Sequence, residues 1–197
     1  VGSGQKAVRF FCSLTTHHNP PITMQDHFAR LGLPRRFTLD ADELERAYLA
    51  HSRAAHPDYH LAGATADLGA SLELSAALNE AYTALRDPFY RAEHLLALSG
   101  GPSPAEHKQV PPAFLAEMLE AREEVEAARG NEARCRELES AFAARFDKLM
   151  AEVGPLFAAL AALPETDAGR ANLLTRTRAT LNAAKYVRGL MRDLSAD

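Results

Sequence analysis

His56, Pro57 and Asp58 are the residues of this chain whose types and spacing could do chemistry. An imidazole and a carboxylate two positions apart could serve as an acid–base pair. Pro57 fixes its own φ and disfavours helical geometry at His56, so a helix must stop there and leave both side chains on a turn. Catalysis would further need a nucleophile, and the sequence offers no Ser or Cys in a recognisable elbow. No catalytic residue is therefore assigned, and the triplet reads as a turn between two helices. Cys12, His17 and His18 lack a fourth ligand and the usual spacing of a zinc site. No metal ligand and no cofactor are assigned either.

The elements that must hold this turn are helical. Asp40 is suited to cap a helix running to Ala55, with Glu43 three residues on in a capping-box-like pattern. At about 100° per residue, Leu44, Tyr48, His51 and Ala55 share one face of that helix. Arg46 and Arg53, two turns apart, fall on the other, solvated face. After a Gly/Ala-rich stretch, residues 71–87 form a second helix with Leu74, Leu78, Ala81 and Leu85 on one face. The two should pack antiparallel. A short helix around Phe28 and Leu31 precedes them, ended by Gly32-Leu33-Pro34. Asp87-Pro88 reads as the cap and first position of a further helix reaching Ser99.

Composition sets the outer bounds. A net charge of −4 gives no electrostatic case for nucleic acid or an anionic membrane. The apolar runs fall far short of the ~20 residues of a membrane helix. Two distant cysteines, Cys12 and Cys135, make no disulfide framework, which suits a cytoplasmic setting. Ala-rich segments with few β-branched runs predict an all-α protein. Residues 1–23 fit none of this periodicity and are read as a cloning scar or an upstream extension, expected to be disordered. Met24 fits a natural start.

Gly100-Gly101-Pro102-Ser103-Pro104 breaks the helical pattern. The expected organisation is residues 24–99 as one domain, 100–112 as a linker and 113–197 as a bundle. Pro111-Pro112 opens the first bundle helix, which Gly130-Asn131 ends. A second helix runs from Glu132 toward Leu163, with an interruption expected at Gly154-Pro155, and a third from Asp167 to Leu194. Three helices with short joints suggest an antiparallel three-helix bundle. On the first, Phe114, Met118, Ala121 and Val125 form the core stripe, and Leu115 and Leu119 lie off it. On the last, Leu173, Thr177, Leu181, Ala184, Val187 and Met191 share a face from which Tyr186 and Leu190 point away. Apolar residues leaving the core line on both helices predict a partner-binding patch. Such a stripe can also self-associate.

A helix, a His-Pro-Asp loop and a second helix together resemble the J-domain. The flanks that carry the likeness are Phe28-Ala29-Arg30-Leu31-Gly32-Leu33-Pro34 and Asn79-Glu80-Ala81-Tyr82-Thr83-Ala84-Leu85-Arg86-Asp87-Pro88. The resemblance implies a module that stimulates ATP hydrolysis by DnaK-type chaperones. His56, Pro57 and Asp58 would make the contact, and Arg46 and Arg53 would face an acidic chaperone surface. Tyr59 stands where many J-domains carry Lys or Arg, one positive charge fewer at the loop.

With the C-terminal bundle added, the chain is similar to the HscB family of J-domain co-chaperones from Met24 onward. Asp87-Pro88-Phe89-Tyr90-Arg91-Ala92-Glu93-His94-Leu95-Leu96, and Phe114-Leu115 through Arg122-Glu123-Glu124, are the most specific segments. The likeness implies a non-enzymatic adaptor of iron–sulfur cluster assembly. Its bundle would bind an IscU-type scaffold and deliver it to HscA, a DnaK-type ATPase. Positions matching the family's scaffold-binding residues are Leu115, Leu119, Glu120, Glu123 and Tyr186, with the glutamates as a polar rim. The alternative is a general J-domain co-chaperone for unfolded clients.

Overall fold

The computed structural model describes residues 25–55, 68–110 and 112–195. The His56-Pro57-Asp58 turn, Tyr59, and residues 1–23 with the Cys12/His17/His18 group lie outside the described residues. Among the described residues all regular structure is helical, as the composition predicts. The order is α1 (His27–Arg30), α2 (Ala41–Ala55), α3 (Leu68–Arg86), α4 (Pro88–Leu98), α5 (Pro112–Ala128), α6 (Glu132–Ala162) and α7 (Gly169–Ser195).

Local chemistry sets most of these ends. Asp26 accepts from the Phe28 and Ala29 N–H groups at the start of α1. Asp40 accepts from the Glu43 N–H at 2.8 Å, but the Glu43 carboxylate does not reach back; it pairs with Arg36 instead. Asp87 caps α4 with Pro88 in its first turn. Gly32 and Gly130 turn the chain after α1 and α5 at φ 65° and 77°, a region that a Cβ disfavours.

Helices α2 and α3 form the expected antiparallel hairpin. Near the hairpin's loop end, Ser71 Oγ donates to the Ala55 carbonyl at 2.7 Å. Farther along, Tyr48 donates to Asn79 Oδ1 at 2.6 Å and its ring stacks on Tyr82 at 4.4 Å. Leu44, Ala55, Leu78, Ala81 and Leu85 are buried between these helices and their neighbours. His51 and Leu74 are exposed, unlike the faces drawn for them. The hairpin's buried stripe is therefore narrower than the hydrophobic pattern suggests.

Helix α6 runs unbroken through Pro155, where an interruption was expected. A proline inside a helix costs about 3 kcal/mol through a lost hydrogen bond and a ring clash. Val153, Leu156, Phe157 and Leu160 are all buried on this segment, and burying one such side chain contributes about 1.5–3 kcal/mol. Their burial outweighs the break. Phe157 also stacks on Phe37 at 5.8 Å.

That contact belongs to a core shared by both halves of the chain. Phe28, Leu44, Leu85 and Leu96 from the first four helices pack in one cluster with Val153 and Phe157 of α6 and Leu181 and Ala184 of α7. A second cluster joins Met118 and Val125 of α5 to Leu138 and Phe142 of α6 and Val187 and Leu190 of α7. Leu190, placed off the core line by its spacing, is 7% exposed. Helix α7 touches α4, α5 and α6, so it buries a broader face than a two-helix contact would.

Polar contacts reinforce the junction. Arg178 of α7 is 1% exposed and grips the Glu93 carboxylate of α4 through both terminal nitrogens, at 2.7 and 2.8 Å. Its Nε donates to the Pro102 carbonyl at 2.8 Å, and Asn182 donates to the His107 carbonyl. Arg188 pairs with Asp87 at 3.1 Å and lies over the Phe89 and Tyr90 rings.

His94 makes the fold sensitive to acid. The His27 backbone N–H donates to His94 Nε2 at 3.0 Å, so that nitrogen must be unprotonated. The two imidazoles stack at 4.2 Å, and Asp26 and Arg35 lie nearby. Burial, with the neighbouring His27, pushes the His94 pKa down to about 4 from 6.5. As pH falls below 6.5 the unfolded chain takes the proton first, so stability drops until the folded pKa is passed. Between pH 7.5 and 5 the expected loss from this group is about 1 kcal/mol after solvent screening. Chemical denaturation at both pH values checks it: His94→Gln should show a smaller drop than the parent chain, and equal drops would contradict it.

Candidate functional site

The described residues offer two candidate surfaces at different places in the fold. The first is the outer face of α2. Arg46 and Arg53 both project there, exposed, and neither forms an ion pair among the described residues. Asp40 starts this helix and the residue after Ala55 is His56, so α2 delivers the chain directly to the His-Pro-Asp triplet. The geometry of His56, Pro57 and Asp58 lies outside the described residues.

The second surface is built by α5 and α7. Met118, Val125, Val187 and Leu190 pull the two helices together through the second core cluster. Leu115 and Leu119, one turn apart on α5, then stand beside Tyr186 of α7 across a groove of about 600 Å³. These three are 39%, 66% and 48% exposed, which makes Leu119 the most open large apolar side chain of the described residues. The Tyr186 ring meets Phe114 edge to face at 6.3 Å and is thereby oriented at the groove wall. Arg145 of α6 lies over the Phe114 ring and pairs with Glu117, bracing that wall from behind.

The groove brings together Leu115, Leu119 and Tyr186, residues about seventy positions apart in the chain. Glu120 and Glu123 are exposed on α5 but do not line it. At about 100° per residue they lie on the far side of Leu119 from Leu115. The polar residues that do line it are of the opposite sign: Lys108, Arg122, Lys185 and Arg192, with Asp193. Sequence reasoning passed over these. A usable signal existed, since Leu115, Leu119 and Arg122 follow the i, i+4, i+7 spacing of one helical face.

Neither surface presents a catalytic constellation among the described residues. Among the described residues no group of three or more His, Cys, Asp or Glu is placed to hold a metal ion. No described helix is long and apolar enough to cross a membrane. What the α5–α7 groove can do is exclude water around apolar anchors and attract charge at its edge, the properties of a protein-binding surface.

Comparison with known proteins agrees with this architecture. The family model of the HscB C-terminal oligomerisation domain matches residues 110–190. The chain is 39% identical over 120 residues to a co-chaperone protein HscB homolog of Bordetella petrii, covering 60% of this chain and 71% of that protein. It is 40% identical over 108 residues to the homolog of Chromobacterium violaceum, covering 54% and 62%. Among solved structures, the chaperone HscB from Vibrio cholerae superposes with a TM-score of 0.68 at 25% identity, over 87% of this chain and 96% of that one. The human co-chaperone HscB superposes at 0.71 with 24% identity, over 100% and 93%, and supports the fold.

Proposed function

We propose, because this chain belongs to the HscB family of co-chaperones, that it is a non-enzymatic adaptor between a chaperone ATPase and an iron–sulfur scaffold. The J-domain at residues 24–99 engages an HscA/DnaK-type partner through His56, Pro57 and Asp58, with Arg46 and Arg53 on the adjoining face of α2. The bundle at residues 113–197 holds an IscU-type scaffold through Leu115, Leu119 and Tyr186, with Glu120 and Glu123 on the outer edge. The compartment is the cytoplasm, and the cluster travels on the scaffold, so the adaptor needs no cofactor of its own.

The observation that carries this reading is the convergence of Leu115, Leu119 and Tyr186 on one open groove. Three large apolar side chains left uncovered side by side cost solvation free energy that a docked partner recovers, about 25 cal/mol per Å² of apolar surface. ATP hydrolysis itself occurs on the partner; this chain supplies binding energy at two places.

Two measurements test the reading together. A tagged chain should co-purify an IscU-type scaffold from the source cell, and the purified chain should raise the steady-state ATPase rate of an HscA-type chaperone. Recovery of mixed unfolded clients without a scaffold would instead indicate a general J-domain co-chaperone. The basic face gives a further expected result. Arg46→Ala with Arg53→Ala should weaken chaperone binding more at low salt than at high salt, because screening already blunts exposed charge contacts. Equal losses in titrations at both ionic strengths would assign the effect to packing.

A further inference from the structure

Resting on the proposal that the α5–α7 groove seats the scaffold, we infer that the scaffold segment lying in the groove is acidic. The groove's lining carries four cations, Lys108, Arg122, Lys185 and Arg192, against the single carboxylate Asp193. All four cations are exposed. Arg192 is 3.6 Å from Asp193, but Lys108, Arg122 and Lys185 are in no ion pair among the described residues. Elsewhere on the same bundle Arg134 is paired with Glu124 and Glu137 and the half-buried Arg145 with Glu117, while the exposed Arg176 is in no ion pair among the described residues.

This local excess of positive charge sits on a chain whose net charge is −4. The groove edge therefore has the opposite sign to the molecule that carries it, and it selects its occupant by that difference. The two rims are also distinct. Glu120 and Glu123 lie beyond Leu119 on the outer edge of α5, while Arg122 of α5 and Lys185 of α7 line the groove itself. A segment with apolar anchors for Leu115, Leu119 and Tyr186, and carboxylates toward Arg122 and Lys185, satisfies both. Basic residues on the same partner would meet the glutamates, so the charges fix its direction in the groove.

The test titrates purified IscU-type scaffold against the full chain at about 50 and 300 mM salt. Arg122→Glu with Lys185→Glu should weaken binding by about tenfold or more at the lower salt, and by clearly less at the higher. Arg122→Gln with Lys185→Gln should fall between that variant and the parent chain. If the reversed pair binds as tightly as the parent, while alanine at Leu115, Leu119 and Tyr186 removes binding, the acidic segment is overturned and the groove assignment survives. If neither set changes the affinity, both are overturned. Sedimentation of the chain alone covers the remaining occupant. A dimer that the reversed pair dissolves, with scaffold affinity unchanged, makes the occupant a second copy and overturns the inference.

Discussion

Asp58→Asn is expected to leave this chain folded and to abolish its stimulation of a DnaK-type ATPase. The substitution removes a negative charge and keeps the shape of the side chain. Position 58 lies between the end of α2 at Ala55 and the start of α3 at Leu68. The hairpin on either side is held by contacts that do not involve it: Leu44, Leu78, Ala81 and Leu85 in the core, and Tyr48 on Asn79 and Tyr82. Melting should therefore stay within about 0.5 kcal/mol of the parent, as for a change that breaks none of these contacts. His56→Gln should behave in the same way. Steady-state ATPase assays with purified partner decide the matter, and undiminished stimulation by either variant would remove the J-domain assignment.

Replacing Leu115, Leu119 and Tyr186 together with alanine should cost scaffold binding and spare stimulation by the J-domain. Truncating an interface anchor commonly costs about 1 kcal/mol or more, so three together should weaken binding by roughly two orders of magnitude, short of strict additivity. The structure adds a stability expectation. All three side chains are more than a third exposed, and the floor beneath them is made by Met118 and Leu190, which remain. Melting should shift little, whereas a buried Leu→Ala would cost about 2–5 kcal/mol. Scaffold calorimetry and thermal melting on one preparation separate the outcomes. Unchanged affinity in a stable variant would move the binding face elsewhere.

The parts of the fold that follow local rules were legible in the sequence. Asp40 and Asp87 meet helix N-termini whose free N–H groups need an acceptor, and Gly32 and Gly130 provide turns that other residues resist; Asp26 and Asn131 cap α1 and α6 by the same rule but were not read as caps. The off-core placement of Leu115, Leu119 and Tyr186 was legible too, because Phe114, Met118, Ala121 and Val125 define one line on α5 clearly. What failed depends on neighbours distant in sequence. Pro155 looks like a break until the burial of Val153, Leu156 and Phe157 is set against it. Leu190 looks exposed until α7 is seen to touch three other helices. The sequence made no case for a buried Arg178 either, because Glu93 lies eighty-five positions earlier and only the folded chain brings the two together. The basic edge of the groove was missed for a simpler reason. Lys108, Arg122, Lys185 and Arg192 come from three segments, and their common sign is visible only once those segments meet.

The junction between α4 and α7 has a consequence for how two partners would meet on this chain. Two binding modules on a flexible tether present their ligands at an effective concentration diluted over the volume that the tether explores. Here the two halves share a hydrophobic core, and the Arg178–Glu93 fork and the Arg188–Asp87 pair cross between them. A protein seated in the α5–α7 groove is thereby held at a set distance and angle from the outer face of α2. If a chaperone docks on that face as proposed, the local concentration of the seated protein there would be high in one direction and negligible in others. The geometry would then act as a sieve on the cargo: only a segment reachable along that one line would be offered to the second partner.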